Sequence, residues 1–498
     1  MGILLFGASV VALFWVTRAI YHLYLHPLAR YPGPTLWVIS RIPYLICMNR
    51  GSLPYRIRQL HEQYGPVVRL GVDELSFNDS RAWKDIYTRK DFLRPPQWGA
   101  RPPGITAHSL ISAPADDHAR FRKAMNPAFS EKATRDYESA VRSYMNKLLS
   151  LLGESLTKNP RGPEEDSKTV DLVEWANLTT FDIIGEIVWS KSYECLDAKR
   201  GHAFMSVLMH FQAFLVAASI KYYPWLDQIL SEITPKSAFR VLDDIFKDSR
   251  HRFLSRLEME HPAHPDLVGY LKDHQMAATN SEKLSGPEIE QNLLTVVVGG
   301  SETLTSAISG AFHQLLAHPA AMETLVSEVR SSFEKEADIS AGALSKLPYL
   351  NAVIDETLRL CPPFPDALRR LVPPTGAIIA GRAVDPGTTV SVSCYSMFRS
   401  PKIFTEPDAF IPARWLDGRD GPGAKEAFHP FAVGPHNCLG QPLARMELRL
   451  FIALLLWRYD IRCPQAQEMP KWEDQKIYWT WEKTPLEVVI SKASRVPV

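Results

Sequence analysis

Thr295–Ser306 reads TVVVGGSETLTS. The apolar run before its two glycines fits a buried strand feeding a phosphate-binding turn, and fits a buried helix equally well. The first reading implies a nucleotide-binding α/β fold, because backbone N–H groups after a glycine-rich turn cradle phosphates at a helix N-terminus. The second implies a helical fold in which glycines clear room for something lying close against the helix. Neither GxxxxGK[ST] nor GxGxxG occurs in this stretch, so the phosphate-loop reading lacks its defining residues.

The surrounding chain favours the helix. Helical patterning with charged faces dominates from about Asp117 to Leu360, whereas strand-like alternation is confined to VVRLG near Val67, AIIAGRAV near Ala377, TTVSVSCY near Thr388 and LEVVIS near Leu486. Strands therefore sit mostly at the two ends. This segregation predicts a mainly α protein with small β-sheets (α+β), not the strand-helix alternation of a doubly wound fold. The polar segment Lys158–Lys168 (KNPRGPEEDSK) reads as a surface loop.

At 498 residues, 46% hydrophobic and 22% charged, the composition is that of a large globular protein and excludes disordered and collagen-like classes. A formal charge of +1 gives no bulk electrostatic case for nucleic acid. Six cysteines, Cys47, Cys195, Cys361, Cys394, Cys438 and Cys463, form no CxxC pair, which argues against a zinc ribbon and a disulfide framework.

Gly2–Thr17 (GILLFGASVVALFWVT) carries no charge, and its apolar character resumes past Arg18. This approaches the length a bilayer span needs. Residues 1–24 are read as an uncleaved anchor, residues 25–36 (with Pro27, Pro32 and Pro34) as a stiff proline-rich hinge, and residues 37–498 as one catalytic domain. Arg18 and Arg30 follow the span and no Lys or Arg precedes it, so the remainder is expected in the cytosol, with the sequons at Asn78 and Asn177 unmodified.

Near the C-terminus stands FHPFAVGPHNCLGQPLARMELRLFIALLLW. Cys438 lies in a loop with Gly434, Pro435 and Gly440, followed by an apolar segment that reads as a buried helix. A thiolate at a helix mouth is stabilised by unpaired N–H groups, and flanking glycines let a flat cofactor approach the backbone. Taken alone, such a cysteine also fits an inert packed thiol.

The run FAVGPHNCLG resembles the haem-binding loop of the cytochrome P-450 superfamily, with Phe431, Gly434, His436, Cys438 and Gly440 at the family's spacing. Glu356 and Arg359, followed by LCPPFP, resemble the family's Glu-x-x-Arg helix, with Arg414 in FIPARW as the third member and Ala413 where an acid often stands. DHARFRKAMNPAFS resembles the segment that crosses one haem edge. The resemblance implies a cytochrome P-450 fold with an N-terminal transmembrane helix. It implies haem b with Cys438 as axial thiolate and metal ligand, Phe431 shielding the sulfur, and His118, Arg122, Arg370 and His436 at the propionates. Under it TVVVGGSETLTS is the central helix over the open haem face, Gly299 and Gly300 leave room for oxygen, and Glu302 and Thr303 are the catalytic acid-alcohol pair. Leu304 departs from the hydroxyl residue often found next, which leaves Thr305 as an alternative.

The activity so implied is hydroxylation or epoxidation of a hydrophobic small molecule with O2 and electrons from a membrane-bound NADPH-cytochrome P-450 reductase, with cytochrome b5 as an optional second donor. Lys123, Lys425, Arg445 and Arg449 are candidates for the reductase face. Pocket walls are expected from the Trp98–Ser112 loop, Phe211–Leu215, Ala367, Leu368 and Trp479–Trp481. HPLARYPGP, YYPWL, GGSET and WEKTPL resemble fungal members of secondary metabolism, implying a terpenoid, polyketide or alkaloid intermediate and an endoplasmic-reticulum membrane location. The rival expectations are an O2-independent haem-thiolate isomerase or dehydratase, and a non-catalytic haem-binding membrane protein.

Overall fold

The computed structural model describes residues 2–99, 101, 105, 107–154, 156, 167–208, 216, 218–233, 240–464 and 469–493. TVVVGGSETLTS lies within one helix of 32 residues, Gly286–Ala317. Its start is fixed by a capping box between Ser285 and Glu288 and by Pro287, whose missing N–H costs nothing in the first turn. Pro319 then stops it and opens the next helix, Pro319–Ser331. Leu293, Val297, Leu304, Ile308, Phe312 and Leu315 are all buried, so the helix runs through the interior. It packs against the helices Leu172–Trp189, Pro348–Leu360 and Gln441–Arg458.

Two glycines set how near those neighbours come. A Cβ on Gly300 would stand 2.5 Å from Ile184 Cδ1, and one on Gly310 would stand 2.6 Å from Cys361 Cβ. Close helix crossings therefore depend on the missing side chains.

The described strands are short: β1 (Val67–Arg69), β2 (Glu74–Phe77), β3 (Ser167–Asp171), β4 (Arg370–Leu371), β5 (Ala377–Ile379), β6 (Arg382–Val384), β7 (Thr389–Val392), β8 (Tyr459–Arg462), β9 (Ile477–Tyr478), β10 (Thr480–Trp481) and β11 (Glu487–Lys492). They form a four-stranded sheet in the order β1-β2-β7-β4, a three-stranded sheet β3-β11-β8, and the hairpins β5-β6 and β9-β10. All four sequence-predicted strand pieces fall in these elements. The Lys158–Lys168 loop reading needs one correction: Ser167 and Lys168 open β3, which pairs antiparallel with β11 through Val170↔Val488. Only Val170 of that strand is buried, so its sequence carries no alternation to read. Residues 157–166 lie outside the described residues.

At the N-terminus the helix Gly2–Ile20 continues into a turn at Tyr21–Leu25, and Leu5–Leu25 is long and apolar enough to cross a membrane. The proline-rich segment that follows lies flat on the globular part. Leu28 and Tyr31 are buried, Tyr31 donates to Ala383 O at 2.8 Å, and Arg69 donates to His22 O at 2.8 Å. Gly33 has the carbonyl of Arg69 where a Cβ would be, at 2.2 Å.

Candidate active site

The cysteine loop is shaped by its glycines. Gly434 has φ +75°, and a Cβ there would lie 2.1 Å from Tyr87 O, so both conformation and space require glycine. The chain then makes a tight turn at Gly434–His436, Cys438 N donates to Phe431 O at 2.8 Å, and Gly440 caps the helix Gln441–Arg458. Cys438 is the exposed cysteine of the six, while the others are half-buried or buried. Burial by the surrounding protein nevertheless pushes its thiol pKa up, against a pull downward from the Gly440 backbone and from Arg122. Beside it, the Cβ direction of Gly440 meets no atom within 4 Å.

The central helix presents three different faces at TVVVGGSETLTS, as residues about 100° apart must. Gly299 is exposed, with nothing within 4 Å of its Cβ direction, and Thr303, one turn on, donates its hydroxyl to Gly299 O at 2.6 Å. Gly300 does not share that open side: its bare Cα seats Ile184, which corrects the expectation that both glycines serve the ligand face. Thr305 is also turned away, fully buried with its hydroxyl 2.9 Å from that of Thr180. It therefore cannot stand in for Thr303. Glu302 and Ser306 form the third face, against the C-terminal hairpin. Glu302 Oε1 accepts from Lys483 and, at 3.4 Å, from Thr480. Burial pushes the Glu302 carboxyl up, opposed by the Lys483 ammonium.

His118, Arg122, Arg370 and His436, 318 residues apart at the extremes, come together. His436 Nδ1 lies 3.0 Å from His118 Nε2 with the ring centroids 3.9 Å apart. Arg122 holds the loop by donating to Asn437 O at 2.8 Å and Asn437 Oδ1 at 2.9 Å. Burial and the neighbouring guanidinium groups push the His118 pKa down to about 4 and depress that of His436 as well, so both rings are neutral at pH 7. A fifth member, Arg94, was missed in the sequence because FLRPP matches no motif. It donates to Leu110 O at 3.0 Å, its Nη1 is buried without a partner, and burial next to Arg370 brings its pKa down to about 9. Among the described residues, no carboxylate pairs with Arg94, Arg122 or Arg370. Three guanidinium groups without an acid make a site for carboxylates.

Beneath the loop, Glu356 accepts from Arg359 at 2.8 Å through both oxygens, from Arg414 at 3.0 Å, and from Trp415 Nε1 at 3.0 Å. Arg359 fans out to the carbonyls of Phe398, Pro407 and Ala409. The acid absent at Ala413 is supplied by Asp420, which takes Arg414 Nη1. All three charges of the predicted cluster are buried and paired.

Of the proposed basic face, Lys425 is exposed and Lys123 is exposed but paired with Glu282. Arg445 and Arg449 are half-buried, bonded to Asp355 and Asn351, each at 2.8 Å. Of the expected pocket walls, the Trp98 and Trp479 rings lie 6.1 Å apart between centroids and tilted by 39°, and Phe364 meets Trp479 edge-on at 5.8 Å. Ala367 is buried, and Leu368 O accepts from Tyr87. Phe211–Leu215 lies outside the described residues.

An accessible sulfur, two open glycine faces and an orphaned guanidinium nitrogen fit a flat, dianionic, thiolate-ligated macrocycle, as haem b is. Comparison with known proteins agrees. The family Cytochrome P450 matches residues 31–488. The chain is 34% identical to "Cytochrome P450 monooxygenase lcsI" of Purpureocillium lilacinum, over 98% of this chain and 94% of that protein. It is 33% identical to "Cytochrome P450 monooxygenase atr2" of Stereocaulon alpinum (99% and 96% covered), and 35% identical to "Averantin hydroxylase" of Dothistroma septosporum (97% and 90% covered). Haem b with an axial cysteine thiolate is the cofactor of that family, its members draw electrons from redox partners, and this chain belongs to it: it is a cytochrome P450 monooxygenase.

Proposed function

We propose that Cys438 is the thiolate ligand and that this chain hydroxylates or epoxidises a hydrophobic secondary-metabolite intermediate at the side of the central helix opened by Gly299. The observation that carries this is an accessible Cys438 together with a cluster of arginines that lack acids among the described residues. Arg94, Arg122 and Arg370, with the His118–His436 pair, would hold the two haem carboxylates, and Phe431 would cover the thiolate. Haem so ligated supplies the reductive activation of O2 and the insertion of one oxygen atom into substrate. The chain's own residues supply position and protons. Thr303 holds its hydroxyl on the open side, Glu302 stands next to it as the acid, and the glycine leaves the approach unobstructed. Trp98, Phe364 and Trp479 line the substrate side and favour an apolar molecule. The fungal relatives, one printed as a hydroxylase of averantin, support a secondary-metabolite substrate.

The electrons come from an NADPH-cytochrome P-450 reductase, with cytochrome b5 as an optional donor, docking near Lys123 and Lys425; such docking weakens with salt. Residues 1–24 anchor the chain in the endoplasmic-reticulum membrane, residues 25–36 join anchor to domain, and residues 37–498 face the cytosol. The exposed apolar residues Leu36 (70%), Ile42, Ile46, Trp225 (64%) and Ile229 support this placement as a surface that rests on lipid. Asn49 bonds Ser219 at 2.7 Å and so joins the segments that carry them.

The test is the absorption spectrum of the dithionite-reduced protein with and without carbon monoxide, beside Cys438→Ala. A strongly red-shifted Soret band lost in the variant is expected. A band indifferent to Cys438 in folded protein overturns the proposal.

A further inference from the structure

Lys483 is a buried lysine: its side chain is 1% exposed, and that of Glu302 is 5% exposed. An ammonium so placed is costly unless paired, and Glu302 is its partner. The same nitrogen lies 3.5 Å from Ser306 Oγ, one turn further along the central helix. Thr480 donates to the same carboxylate oxygen as Lys483, so the described hydrogen bonds to Glu302 all fall on Oε1 and leave Oε2 free. No other charged group is set against this carboxylate among the described residues. The lysine lies two residues past the hairpin β9-β10, whose tip residue Trp479 has φ 73°, a conformation that bulky residues rarely adopt.

We propose that Lys483 is the positioning residue of Glu302: its ammonium favours the ionised carboxylate against burial and holds it toward the C-terminal hairpin, leaving Oε2 to take a proton from water and pass it to the Thr303 side. One proton arrives at Oε2 and one leaves from it, so the ion pair ends as it began. A buried carboxyl without this ammonium would keep its proton and could not cycle. The inference rests on the reading of Glu302 as the acid. Thr303 and Glu302 can be compared with any family member, but Lys483 is 181 residues away from Glu302 and is found only in the fold.

The experiment uses the full-length, haem-loaded protein with its reductase as wild type, Glu302→Gln, Lys483→Met, Lys483→Arg and the double variant Glu302→Gln/Lys483→Met. Two quantities are read: the peroxide released per NADPH oxidised without substrate, and the infrared carboxyl bands of the carbon monoxide complex in H2O and D2O. Lys483→Met is expected to show at pH 7 a protonated-carboxyl band that shifts in D2O and is absent from the double variant, together with a severalfold larger peroxide share. Lys483→Arg should match wild type in both. Folded Lys483→Met with no such band and a wild-type peroxide share overturns the inference, leaving the pair a structural clamp. An unchanged peroxide share in Glu302→Gln instead removes the reading of Glu302 itself. Should Lys483→Met fail to fold, the double variant, which buries no lone charge, decides: a peroxide share equal to that of Glu302→Gln supports the inference, and a larger one overturns it.

Discussion

A Cβ on Gly300 would stand 2.5 Å from Cδ1 of Ile184, while one on Gly299 would meet no atom within 4 Å. Adjacent glycines thus do different work, one in helix packing and one on the ligand side. Gly300→Ala is expected to destabilise the protein by about 1–3 kcal/mol through overpacking, with recovery when Ile184→Val is added. Gly299→Ala should instead stabilise the apoprotein by about 1 kcal/mol through helix propensity while slowing carbon monoxide binding to the reduced protein. Urea unfolding and flash photolysis separate the two effects.

The hydroxyls of Thr303 and Thr305 predict a second contrast. Thr303→Ala should retain haem and divert electrons to peroxide. Thr305→Val should lower stability by about 1 kcal/mol, because it strips a buried partner from Thr180, and leave the peroxide share unchanged. Peroxide yield per NADPH, beside thermal unfolding, reads both.

Arg94 predicts opposite signs with and without cofactor. In the apoprotein it buries a guanidinium nitrogen with no partner, so Arg94→Leu is expected to stabilise that form by about 1–3 kcal/mol. The loaded protein should lose its haem faster to an acceptor protein held in excess. An unchanged rate of haem loss would remove Arg94 from the carboxylate site.

Glu447, on the cysteine helix, has its carboxyl pushed up to about 8 by burial. The folded protein therefore holds a proton that the unfolded chain releases above its ordinary value of 4.5. Stability should fall as pH rises from about 4.5 to about 8 and level off beyond, by an amount on the order of a few kcal/mol. Glu447→Gln should flatten that slope in urea titrations across the range, whereas a wild-type slope in the variant would place its origin elsewhere.

The ligand loop and the Glu356–Arg359 turn were legible in the sequence because each is a contiguous pattern whose spacing is fixed by local geometry. Strands β1, β7 and β11 were legible because short alternating runs stood out from a helical background. Arg94, Asp420 and Lys483 were not, since each acts through a partner brought near only by the tertiary fold. The faces of the central helix lay between these cases. From sequence alone both Gly299 and Gly300 fell on the ligand side, because which side met Ile184 and which met the hairpin depended on neighbouring elements.

Asp420 fills the place left by Ala413, and with Glu356 it balances Arg359 and Arg414 at two charges against two. The carboxylate that takes Arg414 Nη1 thus stands seven positions further along the chain than Ala413. A chain with acids at both positions would keep Arg414 paired with Asp420. Introducing Ala413→Asp before removing Asp420 should therefore keep the fold, whereas the reverse order passes through an arginine short of one acid. The order in which the two substitutions are made, rather than their sum, decides whether Arg414 is ever left with Glu356 as its one acid.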